Sequence, residues 1–193
     1  GDGAIIEGSE IAANNYAGFS IGWEAGGTKF VRSRNLVVRN NCVHDNNGPG
    51  LWTDIDNVDI TYANNKVFRN SGDGIKHEIS YRATIVDNLV AQNGKGHDIW
   101  LWGSQILIQN SSDVEVRGNT VEIAPGFGNG ISIVSQDRGS GELGAYDAKN
   151  NHVHHNTIIH LGRHGHNGLV ADAKIDEFWK TGANRFDNNT YIL

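Results

Sequence analysis

An asparagine followed two residues later by Val or Ile recurs along this chain, and that repeat limits the folds open to it more than any other feature. Asn41, Asn65, Asn88, Asn119, Asn156 and Asn189 stand two places before Val43, Val67, Val90, Val121, Ile158 and Tyr191, and Ser9 stands before Ile11 in the first copy. About eight residues further on, most copies reach a Gly-led apolar segment. A period of twenty to forty residues built from short apolar runs describes a solenoid, because one such unit cannot bury its own apolar face and the next must complete it. The segments are too short and too rich in Gly for a sustained helical stripe. Parallel strands stacked about 4.8 Å apart are therefore expected, with little helix.

An amide that returns at one place in every repeat can hydrogen-bond to its copy above and below. A second set, Asn14, Asn46, Asn70 and Asn93, follows the same rule and fades at Ala124 and Leu161. The plainer alternative is that Asn only marks turns. Both give one turn per coil.

The bulk numbers narrow the partners. Of 193 residues 25 are Gly and 2 are Pro, and the net charge of -6 comes with no basic run. Nucleic acid is disfavoured, since phosphate neutralisation needs a basic surface. No apolar run approaches the ~18 residues of a membrane span. The lone Cys42 cannot form an internal disulfide. One domain over residues 1–193 is the natural division, and with no Met in the chain it reads as a segment of a longer protein.

The motifs NNCVHDNNGPGLW, NNKVFRNSGDGI and NTVEI resemble the right-handed parallel β-helix repeat family, the pectin-lyase-like solenoids. The resemblance covers nearly the whole chain and implies an all-β, single-stranded right-handed parallel β-helix of about seven coils. It implies an extracellular or cell-envelope setting and carbohydrate chemistry, in a family that includes polysaccharide lyases, glycoside hydrolases, epimerases, adhesins and phage tailspikes. The acidic triplet and the Gly-His-Gly arrangement of polygalacturonases are not reproduced. Neither end looks capped, so a capping domain or a homo-oligomer is expected to cover an open edge.

Strand alternation then selects a candidate site. GLWTDID, GIKHEIS and HDIWLWGS follow one another at intervals of 24, which puts Leu51, Ile75 and Ile99 in register, with Thr53, His77 and Leu101 on the same inward side. The opposite face carries Trp52, Asp54, Asp56, Lys76, Glu78, Ser80, Trp100 and Trp102. Lys76 sets the phase, because an unpaired ammonium costs several kcal/mol inside an aliphatic stack. Only the second and third coils turn tightly; long insertions at 24–34, 102–112, 136–150 and 172–185 are expected to leave a groove over that face, with Phe19 as the first coil's strand residue. Loops on a rigid scaffold are where binding surfaces gather.

Asp54 and Glu78 fall on adjacent coils, where two carboxylates resist ionising together and divide into acid and base, as glycoside hydrolysis requires. Lys76 offers elimination from a uronic acid instead, or forms a plain ion pair with Glu78. Ca²⁺ often bridges enzyme and uronate in the lyases the chain resembles, and Asp54, Asp56 and Glu78 are hard oxygen donors for such an ion. Trp52, Trp100 and Trp102 suit stacking on sugar rings unless a loop buries them. Arg82 is a candidate for a substrate carboxylate, or an ordinary surface arginine, and Ser80 completes the patch. His77 points inward as a buried, hydrogen-bonded histidine. The later histidines, His152, His154, His155, His160, His164 and His166, alternate along a strand or lie in a loop, against a metal site. The reading is a polysaccharide-binding and polysaccharide-cleaving β-helix, or a non-catalytic glycan-binding or structural solenoid.

Overall fold

The inward column of the repeat builds the molecule. In a computed structural model describing residues 1–193, Val43, Val67, Val90, Val121 and Ile158 stack rung on rung in one parallel sheet. Val38, Tyr62, Ile85, Val116 and Val153 do the same in another, and Leu51, Ile75, Ile106 and Ile131 in a third. These columns meet in a single buried cluster of 23 residues running along the solenoid. The first and second sheets have seven strands each and the third has five. Every pairing in the three sheets is parallel; the antiparallel exceptions are the small hairpin Ser140–Gly141 with Gly144–Ala145 and an isolated bridge between Ala124 and Phe127. The one helix, Ile175–Thr181, lies in the 172–185 insertion and buries Phe178 in the core.

Corners are written in the sequence as doublets. Between the first and second sheets the residue before each ladder asparagine has a left-handed backbone: Asn40, Asn64, Asp87, Gly118, His155 and Asn188 have φ between 51 and 66°. Asn, Asp and Gly tolerate that region best, which accounts for most of these doublets. The asparagine that follows turns inward. Asn41 Nδ2 donates to Asn65 Oδ1 at 3.0 Å, Asn65 to Asn88 at 3.0 Å, Asn88 to Asn119 at 3.0 Å, Asn119 to Asn156 at 2.9 Å and Asn156 to Asn189 at 2.9 Å. The ladder reading of the asparagines is therefore the structural one.

The second ladder, Asn14, Asn46, Asn70 and Asn93, continues where the repeat fades: Asn93 Nδ2 donates to Gln105 Oε1 at 2.8 Å. A third ladder of Asn57, Ser80, Ser111, Asn151 and Asn184 fills the remaining corner, linked through Asn57 Nδ2 to Ser80 Oγ at 3.2 Å and Ser80 N to Ser111 Oγ at 3.1 Å. Its mixed residue types hide it from a search for repeated asparagine.

The register differs from the expected one at two coils. Ile75 pairs with Ile106 and His77 with Ile108, so the rung after Ile75–Glu78 is Ser104–Gln109 and not the segment around Ile99. In the first coil Phe30 bridges Thr53, while Phe19 is exposed. Both insertions precede the strand of their coil. Gly-led apolar runs within them, around Phe19 and Ile99, imitate the strand that comes later.

Candidate functional site

Strand Leu51–Asp54 sends Trp52 and Asp54 outward, and strand Ile75–Glu78 sends Lys76 and Glu78 outward beside them, Trp52 paired to Lys76 and Asp54 to Glu78. One coil earlier, Lys29 precedes Phe30 and projects onto the same face. One coil later come Leu107 and Gln109. The expected floor is thus assembled from Trp52, Asp54, Lys76 and Glu78, but it is closed. Trp52 is 1 % exposed, Asp54 6 %, Glu78 5 % and Lys76 9 %.

Ion pairs close it. Lys29 Nζ lies 2.8 Å from Asp54 Oδ2, Lys76 Nζ 2.7 Å from Glu78 Oε2, and Arg138 reaches across from the 136–150 segment to Glu78 Oε1 at 2.7 Å. Trp52 Nε1 donates to Glu78 Oε2 at 3.1 Å. The Trp52 ring carries an ammonium from each neighbouring coil, Lys29 at 4.0 Å and Lys76 at 4.6 Å from its centroid. Such contacts contribute about 0.5–2 kcal/mol each. They also occupy the indole, so Trp52 is a partner for cations and not an open platform.

The two carboxylates are driven apart. Burial raises the pKa of Asp54, and the neighbouring Glu78 charge adds to the rise against the opposing pull of Lys29. Burial pushes Glu78 the same way, but Lys76 and Arg138 together outweigh it and leave its pKa lowered. Asp54 Oδ1 has no hydrogen-bond partner, nor has Gln109 Oε1 in the same outward column. Asp73, buried beside this set with its Oδ1 accepting from Ser104 N at 2.8 Å, is raised by burial. Two β-branched residues in left-handed backbone close the strands, Ile55 after Asp54 and Ile79 after Glu78, at φ 64 and 34°. Strain of this kind costs of order 1–3 kcal/mol per residue and gathers at functional positions.

The other candidates lie elsewhere. Asp56 turns toward the 136–150 segment, its Oδ1 accepting from Glu142 N at 2.9 Å and Tyr146 Oη at 2.8 Å. With Tyr81 Oη donating to Gly144 O at 2.7 Å, it straps that segment over the face. Ser80 is a corner residue in the third ladder, with its hydroxyl donated to Glu78 O at 2.7 Å. Arg82 is on the second sheet, in a two-pronged pair with Asp59 at 2.7 and 2.8 Å. Trp100 and Trp102 belong to the 94–103 loop, edge to face with ring centroids 5.5 Å apart, and Trp102 packs against the cluster of Leu101, Leu107 and Val134. Lys76 opens to one side into a pocket of about 300 Å³ that Asp73, His97 and Trp102 also line.

Asp54, Asp56 and Glu78 therefore do not converge on a point where a cation would sit, and no group of three or more His, Cys, Asp or Glu is arranged to hold a metal. His77 is inward and fully buried, 2.7 Å from Thr53 Oγ1 through Nδ1. Thr53 Oγ1 also lies 3.3 Å from Lys76 O and accepts from Tyr62 Oη at 3.2 Å, and His77 Nε2 is left without a partner. His152 and His154 stack on the outer surface and pair with Asp187 and Glu115.

Three site residues escaped the sequence reading. Lys29 had a signal: Gly26 and Gly27 lead Thr28, Lys29 and Phe30 as Gly50 leads Leu51, Trp52 and Thr53. Asp73 had a weaker one, directly before the strand glycine Gly74. Arg138 had none, because its contact spans 60 residues and depends on how an irregular segment folds back.

A solenoid of parallel sheets with a charged, covered outer face defines a class, the parallel β-helix proteins. The family model for the right-handed beta helix region matches residues 1–121, and the chain belongs to that family. No curated protein and no solved structure matches the chain.

Proposed function

We propose that this protein is a carbohydrate-active β-helix, which binds a polysaccharide over the outer face of the third sheet and cleaves it at Asp54, Glu78 and Lys76. The observation that carries the reading is the pair of carboxylates on adjacent rungs, shifted in opposite directions, with one oxygen of Asp54 unpartnered. Rungs about 4.8 Å apart bring the two carboxyls near the separation used by retaining glycosidases. Asp54, whose carboxyl burial makes harder to ionise, is the residue that would supply the acid, and its free Oδ1 is the oxygen that can face a glycosidic oxygen. Glu78, kept ionised, supplies the base or nucleophile.

Lys76 donates to Glu78 at 2.7 Å, which suits an electrostatic stabiliser better than a base, so hydrolysis is favoured over elimination. A buried set of charges stabilises a fold poorly, and its place on a rigid scaffold beside an open pocket favours function. Access requires Arg138, one-third exposed at the rim, to swing off Glu78 and onto the substrate. Trp102 and His97 in the adjoining pocket are the first contacts for a sugar entering there.

The closure of the face favours a second reading, a non-catalytic glycan-binding or structural solenoid in which the same ion pairs only fasten the 136–150 strap. Incubation with uronate-containing and neutral polysaccharides separates the two. New reducing ends without ultraviolet-absorbing ends mean hydrolysis, unsaturated ends mean elimination, and retention without either means binding alone. Cleavage that persists at full rate in both Glu78→Gln and Asp54→Asn would refute the assignment.

A further inference from the structure

The indole of Trp100 faces away from the Lys76 pocket into a second hollow, of about 430 Å³. The 94–103 loop forms one wall, and the loop 161–167, arriving from further along the solenoid, forms the other. Leu101, Leu169 and Val170 make an apolar floor. Trp100 is 38 % exposed there, the most open of the tryptophans nominated for sugar stacking.

His164 faces the indole across the hollow and is held in a defined way. Its Nε2 is 2.7 Å from Asp98 Oδ2, an oxygen that also accepts from Gly128 N at 3.1 Å. A carboxylate behind one imidazole nitrogen fixes the proton on that nitrogen and makes the other a better acceptor. Here the other, Nδ1, has no protein partner. The loop that carries it is also fixed: His160 Nδ1 donates to His164 O at 3.1 Å, Asn167 Nδ2 donates to His160 Nε2 at 3.0 Å, and Asn129 Oδ1 accepts from His166 N at 2.9 Å.

We propose that this hollow is a second carbohydrate subsite, in which one sugar ring lies against Trp100 over the apolar floor and donates a hydroxyl proton to His164 Nδ1. An apolar wall opposite a few fixed polar atoms is the usual make-up of a small-molecule site, and the flat indole with an orienting acceptor suits a pyranose in particular. A metal does not suit it, since no trio of ligating side chains converges. The strand residues of the hollow, Asn129, Leu169 and Val170, lie two to three rungs beyond Lys76, roughly 10–14 Å along the axis at the sheet spacing. A linear polymer crossing the Trp100 and Trp102 pair reaches both places. This subsite rests on the reading of the ligand as a polysaccharide.

Affinity gels cast with polygalacturonate, alginate, xylan or mixed-linkage β-glucan test it on the whole chain. In the gel that retards the parent protein, Trp100→Ala and His164→Ala are expected to weaken binding about tenfold each, with Trp100→Phe restoring most of it. Melting temperatures confirm folding, and His164, partly exposed at the loop surface, provides the test by itself if the Trp100 variant is unstable. Retardation lost in Lys76→Ala but unchanged in both Trp100→Ala and His164→Ala overturns the subsite and leaves the polysaccharide reading standing. No retardation of the parent in any gel overturns both.

Discussion

His77 is a neutral imidazole sealed inside the solenoid, and its burial sets a pH dependence. Burial lowers its pKa from 6.5 to about 3, so between those values the unfolded chain binds a proton that the folded chain refuses. Stability from this group is complete above the unfolded value and falls with pH at about 1.4 kcal/mol per unit until the folded value is reached. Between pH 6.5 and pH 4.5 that amounts to ~3 kcal/mol. In urea unfolding, His77→Leu is expected to remove this slope while the parent retains it; parallel slopes in both would place the proton uptake elsewhere. The outward carboxylates behave oppositely to each other. Glu78, with its pKa lowered, contributes stability above its unfolded value that is lost as pH falls through the folded one. Asp54, with its pKa raised, contributes below its unfolded value and loses that contribution as pH rises through the folded one. At pH 7 Glu78→Gln should therefore cost about 3 kcal/mol, because Lys76 and Arg138 lose a buried counter-charge. Asp54→Asn should cost clearly less in the same unfolding measurement, although the two residues sit side by side on adjacent rungs. Equal costs would remove the basis for assigning them opposite shifts.

The corner ladders are the elements that hold register, and their strength should depend on position along the rod. Asn88 lies mid-ladder: its Nδ2 donates to Asn119, Tyr62 and Val86, and its Oδ1 accepts from Asn65 N and Nδ2. Asn88→Ala strands several buried groups at ~1–3 kcal/mol each, so a total loss of about 3 kcal/mol is expected. Asn189 Oδ1 accepts from Asn156 N and Nδ2, but its own Nδ2 donates to Val153 O alone and the site is half-buried, so Asn189→Ala is expected to cost about half as much; chemical denaturation of the two variants tests the contrast. These ladders were legible in sequence because one residue type returns at one place and the doublet before it needs a left-handed backbone. Leu51 with Ile75, and with them Asp54 with Glu78, were legible for the same reason, since no insertion separates those two coils. The third rung was not. Residues 94–103 enter ahead of the strand, and Ile99, Leu101 and Trp102 copy its apolar spacing while Leu101 in fact packs from outside on Leu107 and Val134. Ser80 was misread as a floor residue because a hydroxyl replaces an amide in its ladder. Closure of the site was hidden too, for periodicity describes the rod and is silent about Arg138, which arrives from a segment outside the repeat.

Taken as a whole, the molecule is a stack in which each coil touches only its neighbours, so stability should be nearly a sum of coil terms and interface terms. The coil from Asn65 to Asp87 makes this testable, because 23 residues separate Asn65 from Asn88 in the ladder. Removing residues 65–87 leaves Asn41 facing Asn88, Trp52 beside Leu107 and Asp54 beside Gln109, with the inward columns of Val43, Leu51, Ile60 and Tyr62 still meeting apolar neighbours. The shortened chain is expected to retain parallel-β circular dichroism and a cooperative melt at a lower temperature, since one interface replaces two and the strap loses both Glu78 and Tyr81. Removing only residues 66–76 deletes about half a turn, throws the ladders and the inward columns out of phase together, and should abolish folding, since a misplaced rung sends its core residues to solvent. The longer deletion, although it discards twice as much chain, is therefore the milder one. It also takes out Lys76 and Glu78 in a single step, so any polysaccharide cleavage should vanish while binding through Trp100 and His164 persists in weakened form. If the 23-residue deletion unfolds the protein as completely as the shorter one, the coils are not exchangeable units, and the outer face cannot be treated as chemistry laid on an independent scaffold.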